Sequence, residues 1–173
     1  MSVYISRTNQ KLYFARLHLD QLRTAESGSG WSKHALIESY NESVLFHLAS
    51  AYRAFLGEIA EVYRVAPERA TDLDALDRML AEQGLETPEV SELKQLAAGE
   101  AWLAQLLAAY QACWTAEDRE HAQQGEHHSL SEIHVVQVNP DHAEDKEVIA
   151  QLDQWLIAFR ELVERLRESM KEW

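Results

Sequence analysis

Hydrophobic positions recur along most of this 173-residue chain at intervals of three, four and seven, the spacing of one face of an α-helix. In the first segment Ile5, Leu12 and Leu19 are seven apart, as are Ala15 and Leu22, which predicts a helix over residues 6–26. The two glycines of "SGSG" at 27–30 end it, since glycine serves poorly inside a helix and well beyond its C-terminus. A second stripe, Ile37, Val44, Leu48, Ala51, Phe55, Ile59 and Val62, predicts a long helix over 33–66. Ser32 is placed to cap its first turn and Pro67 forbids its continuation.

A short helix over 72–83 is expected between "TDLD", with Thr71 as the cap, and Gly84. Thr87 as cap and Pro88 at the first helical position then open a third long helix. It is expected to run unbroken over 88–114, with Leu93, Leu96, Leu103, Leu107 and Tyr110 on one face. The last helix, over 143–171, carries the stripe Val148, Leu152, Trp155, Phe159, Leu162, Leu166 and Met170. On its exposed side Glu161 and Arg165 have the i,i+4 spacing of a helical ion pair.

Four long amphipathic helices bury their stripes most simply by packing side by side. The expected fold is therefore all-α: one domain over 1–173, an up-and-down four-helix bundle with one short extra helix. The second helix should outrun the first, so part of its apolar face needs cover, either from the short helix or from a second subunit. Residues 116–141 lack the helical pattern and form a long connector, within which "EIHVVQV" alternates weakly and reads as extended. A connector of that length is unusual in a compact domain and points to function or mobility.

Charge narrows the choice of partners. Against 16 basic residues stand 29 acidic ones, a net charge of −13, which disfavours binding to nucleic acid and to anionic membranes. The single cysteine, Cys113, excludes an intramolecular disulfide, and in "LLAAYQACWTA" it reads as a small buried hydrophobe. No secretory signal pattern opens the chain, and no apolar run approaches the ~18 residues of a membrane helix. The expected compartment is the cytoplasm.

Five of the eight histidines, His121, His127, His128, His134 and His142, fall in the connector region. His121, His127 and His128 are the candidate metal ligands. Zinc needs three or four ligands converging on one ion, and Glu117 or Asp118 could join His121 at helical spacing. His127 and His128 are adjacent, however, and point apart in any regular structure; no HExxH or Cys/His pattern supports them. A solvated polar loop is the plainer reading. No histidine follows a glutamate by three residues, which removes the carboxylate-bridged di-iron pattern of helical bundles. No nucleophile elbow, phosphate-binding glycine loop or dinucleotide fingerprint is present.

Some polar residues do interrupt the apolar stripes. Glu58 falls in the series Ile37, Val44, Ala51, Glu58, Val65, and Glu100 in Leu93, Glu100, Leu107, Trp114. Residues seven apart on a helix differ in direction by only about 20°, so both glutamates are candidate buried groups. So is His47, in the flanking row Tyr40, His47, Ala54, Glu61. A buried carboxylate needs a partner such as Arg160, Arg53 or a tyrosine hydroxyl, or it titrates upward. Two such carboxylates side by side can act as an acid/base pair, or simply set the helix register.

"NQKLYFARLHLDQL" followed by "ALIESYNESVLFHLASAYRAFLGEIAEVY" resembles the start of an uncharacterised bacterial family of roughly 170-residue all-helical proteins, a domain of unknown function. The resemblance extends over the connector and the Trp-containing last helix. It implies a helical cytoplasmic domain and carries no assigned activity, cofactor or functional residue. The expected function is a non-enzymatic interaction or regulatory module that associates with itself or with another protein, with no catalytic residues and no cofactor. The alternative is a metal- or small-ligand-binding protein using the connector.

Overall fold

The computed structural model describes residues 2–115 and 145–171, and all the regular structure among them is helical. The first helix, α1 (Val3–Glu26), begins where Ser2 accepts hydrogen bonds from the Tyr4 and Ile5 amides. Thr8, Leu12, Ala15, Leu19, Leu22 and Ala25 form its buried stripe, the spacing expected of a helix with one face in the core.

The second helix, α2 (Lys33–Val62), is the spine of the molecule. Its 30 residues extend about 45 Å at ~1.5 Å each. It stops four residues before the predicted end. Arg64 adopts a left-handed conformation (φ 58°) that turns the chain before Pro67 is reached. Pro67 instead opens a single 3₁₀ turn, Pro67–Arg69. From Ala54 to Ala60 every residue of α2 is buried, so this stretch is enclosed on all sides. On one side the ring of Tyr4 lies where a Cβ on Gly57 would stand, so glycine permits the close approach of α1. The 3₁₀ turn and α3 (Leu73–Glu82) cover another side, with Leu76, Met79 and Leu80 buried. The short helix thus supplies local cover at the end of α2.

Asp72, not Thr71, caps α3: its carboxylate accepts from the Ala75 amide at 2.7 Å, while the Thr71 hydroxyl donates to Asp72. Gly84 follows with φ 71°, the left-handed geometry that ends a helix cleanly. The expected third long helix is in fact two. α4 (Pro88–Leu96) starts at the Thr87 cap and α5 (Trp102–Ala112) follows a break. In that break Gly99 sits at φ 62°, and a helix cannot pass through a left-handed residue.

The last helix, α6 (Asp145–Met170), packs against α1, α2 and α5 and buries Leu152, Trp155, Leu156, Phe159, Leu162, Val163, Leu166 and Met170. Phe159 forms the aromatic centre, with ring centroids 6.4 Å from Phe55, 6.4 Å from Tyr52 and 6.0 Å from Trp102. The expected Glu161–Arg165 pair is replaced by one between helices. Arg165 donates to both oxygens of Glu92 on α4, at 2.6 and 2.8 Å. This fork holds the Glu92 carboxyl below its ordinary range. The connector over 116–141, including "EIHVVQV", lies outside the described residues.

Candidate functional site

Where α1, α2, α4 and α6 meet near one end of α6, two carboxylates have left solvent. Glu58 on α2 is 2% exposed, and its partner is Arg167 of α6 rather than Arg160 or Arg53. The guanidinium grips both carboxylate oxygens, Nε to Oε2 at 2.9 Å and Nη2 to Oε1 at 2.8 Å. Its Nη1 donates to Asn9 Oδ1 on α1 at 2.9 Å. One side chain therefore ties three helices together.

Glu89, the second residue of α4, is fully buried, and among the described residues its partners are hydroxyls rather than cations. Its oxygens accept from the Tyr63 hydroxyl at 2.7 Å and the Ser169 hydroxyl at 2.8 Å. Its place in the first turn of α4 adds the favourable end of the helix dipole. Burial, reinforced by the hydrogen bond to Glu89, pushes the Tyr63 hydroxyl well above its ordinary pKa. Tyr63 therefore remains a donor.

Glu100 does not join this layer. It is exposed in the break between α4 and α5, and its carbonyl accepts from the Gln105 side chain. The expectation that it faces inward failed because the left-handed Gly99 resets the helical phase six residues after Leu93. Glu58 and Glu100 accordingly form no pair.

His47 lies elsewhere, half-buried on the seam between α1 and α2. Its ring centroid is 4.9 Å from that of His18, 5.4 Å from Phe14 and 5.3 Å from Phe46. Tyr40 closes the cluster 6.1 Å from His18, and Lys11 lies over Phe14 and Phe46. The Nδ1 atoms of both histidines are buried without a hydrogen-bond partner. Burial first, then the neighbouring His18 and Lys11, lowers the His47 pKa to about 4. At neutral pH this imidazole is uncharged and behaves as one more ring in an aromatic seam.

His121, His127 and His128 lie outside the described residues. Among the described residues no group of three or more His, Cys, Asp or Glu side chains is arranged to hold a metal ion, and no helix is long and apolar enough to cross a membrane.

The sequence reading passed over Glu89, although a signal existed: it precedes Leu93 by four and Leu96 by seven, so it belongs to the buried row of α4. It also passed over a groove of ≈ 310 Å³ between α1 and α6, lined by Asn9, Leu12, Tyr13, Arg16, Arg160, Val163, Glu164 and Arg167. Arg167 forms its inner end, backed by Glu58.

A family model described as "Family of unknown function (DUF6586)" matches residues 1–173. No curated protein and no solved structure matches the chain.

Proposed function

The chain belongs to that family of unknown function, and we propose from the geometry that the protein acts by binding rather than by catalysis. In this reading it is a non-enzymatic, cytoplasmic interaction or regulatory module. Its framework is an up-and-down four-helix bundle in which the broken α4–α5 pair stands for the third helix. The buried carboxylates support a structural role for the polar layer: Glu58 is matched by Arg167 and Glu89 by two hydroxyls. An acid/base catalyst needs a carboxyl group that meets substrate.

The observation that carries the reading is the outer side of the α1–α2 seam. Leu17, Leu36 and Phe46 are 43%, 43% and 46% exposed, and the Phe46 ring meets His47 of that seam. Leu17 follows Phe14 by three residues and Leu36 precedes Tyr40 by four, so each flanks a ring of the aromatic cluster. Apolar surface grouped in this way marks an interaction site. A second copy of the chain is the proposed occupant.

Size-exclusion chromatography with light scattering tests this. The expected result is a dimer whose fraction rises with concentration and falls on introducing Phe46→Glu with Leu17→Glu. A monomer at every concentration removes self-association.

A further inference from the structure

Polar rungs cross the contact between α1 and α6. At one end Arg167 donates to Asn9 at 2.9 Å. Fourteen residues onward in α1 and fourteen back in α6, Arg23 meets Asp153 at 2.8 Å. The helices are therefore antiparallel, and the rung midway between sets Arg16 level with Arg160. Both line the ≈ 310 Å³ groove.

Each end rung matches a guanidinium with an acceptor. The middle rung sets two guanidinium groups on opposite walls of one groove, and among the described residues no hydrogen bond or ion pair engages either. Glu164, the one acid lining the groove among the described residues, is one turn from Arg160 and is likewise unpaired among them. Facing like charges repel, and the cost falls in a chain that has 29 acidic residues. An anion between the two arginines converts that repulsion into two charge-assisted hydrogen-bonded forks.

We infer that the α1–α6 groove binds the oxyanion head of a small organic acid between Arg16 and Arg160. The floor, where Leu12 and Val163 are buried, and the ring of Tyr13 take the apolar body of the ligand. Two guanidinium charges against the single charge of Glu164 leave one positive charge to neutralise. That balance favours a carboxylate; a phosphate group offers the same hydrogen-bond chemistry with more charge than the groove balances.

NMR titration of amide shifts with sodium hexanoate, sodium acetate and inorganic phosphate, at ionic strength matched with sodium chloride, tests the site. The expected result is saturable shifts at residues 9–16 and 160–167, with hexanoate tighter than acetate and acetate tighter than phosphate. Arg16→Gln and Arg160→Gln should each weaken hexanoate at least tenfold. Without ligand at low salt, Arg160→Gln should also raise the melting temperature, because it removes the facing charge; a merely structural arginine would lower it. Both arginines are exposed, so the fold should tolerate the changes. Shifts no larger than with chloride alone, or variants that bind like the parent, overturn the site. Phosphate binding more tightly than hexanoate overturns the carboxylate assignment. Neither result bears on the dimer, which the seam substitutions test separately.

Discussion

The polar layer beside α4 and the seam between α1 and α2 both take polar side chains out of water, by opposite means. In the layer every carboxylate oxygen of Glu58 and Glu89 accepts a hydrogen bond. In the seam two imidazole nitrogens accept or donate none. An ionised carboxylate can never shed its need for donors except by taking up a proton, whereas imidazole is neutral over much of the accessible pH range. A helical interior can therefore hold unbonded histidine among aromatic rings. It holds glutamate only by supplying donors from neighbouring helices.

The sharpest way to break this contrast is to strip the layer of its cation. Arg167→Met leaves Glu58 buried without its fork and also releases Asn9. Removing one partner of a buried ion pair costs about 3–5 kcal/mol, and denaturant unfolding should register a loss of that size. The double change Glu58→Met with Arg167→Met should recover most of it, because a well-packed apolar pair replaces a matched ionic one. A single-variant loss below about 1 kcal/mol would mean that solvent reaches Glu58, contrary to its 2% exposure.

Next in size is the hydroxyl clamp on Glu89. Tyr63→Phe removes one of two donors from a fully buried carboxylate, a change of about 1.5–3 kcal/mol for a hydrogen bond to a charged group. Ser169→Ala should cost less, since that hydroxyl is shared with the Leu166 carbonyl. Equal losses, read from chemical denaturation midpoints at constant slope, would show that the shared contact carries no weight.

Much of this architecture was legible in the spacing of apolar residues, and the failures are local. Glu58 was found because α2 runs without interruption from Ile37 through that position, so seven-residue phase carries over. The same extrapolation failed at Glu100 because one glycine in a left-handed conformation intervenes, and glycine in a sequence does not announce its φ. Periodicity also finds which residue is buried without finding what meets it. Arg167, Tyr63 and Ser169 are distant from their acids in the chain, and only helix packing brings them together. Arg16 was passed over, and Arg160 was offered only as a partner for a buried acid, for the same reason: each sits on the polar flank of its own stripe, and the relation between them exists only across the α1–α6 groove.

The seam offers a pH test. His47 has a folded-state pKa of about 4 against an ordinary 6.5. Between those values the unfolded chain binds more protons than the folded one. Stability should therefore fall as pH drops from about 6.5 to about 4, with no further loss from this residue below that. Because His47 is only part-buried, screening should keep the effect to a fraction of the ~1.4 kcal/mol per pKa unit of an unscreened site. His47→Gln should flatten the profile in this window relative to the parent. Parallel profiles for the two proteins would show that His47 protonates as readily in the fold as out of it.

The smallest expected effect separates an unmet donor from a matched one on the same residue type. Tyr52 is buried with its ring tilted against Phe159, yet its hydroxyl has no hydrogen-bond partner. Burial, aided by Asp72 and Asp74, raises its pKa far above the ordinary value, so it carries an intact O–H with nothing to bond. Tyr52→Phe keeps the ring contacts and removes only that group. Desolvating an unbonded hydroxyl costs about 1–3 kcal/mol on mutational scales, and losing a few van der Waals contacts offsets part of the relief. The substitution should leave stability unchanged or raise it by up to about 1 kcal/mol, in contrast to the loss from Tyr63→Phe. If Tyr52→Phe instead destabilises as much as Tyr63→Phe, a donor–acceptor match exists at Tyr52, and the contrast between the two tyrosines is broken.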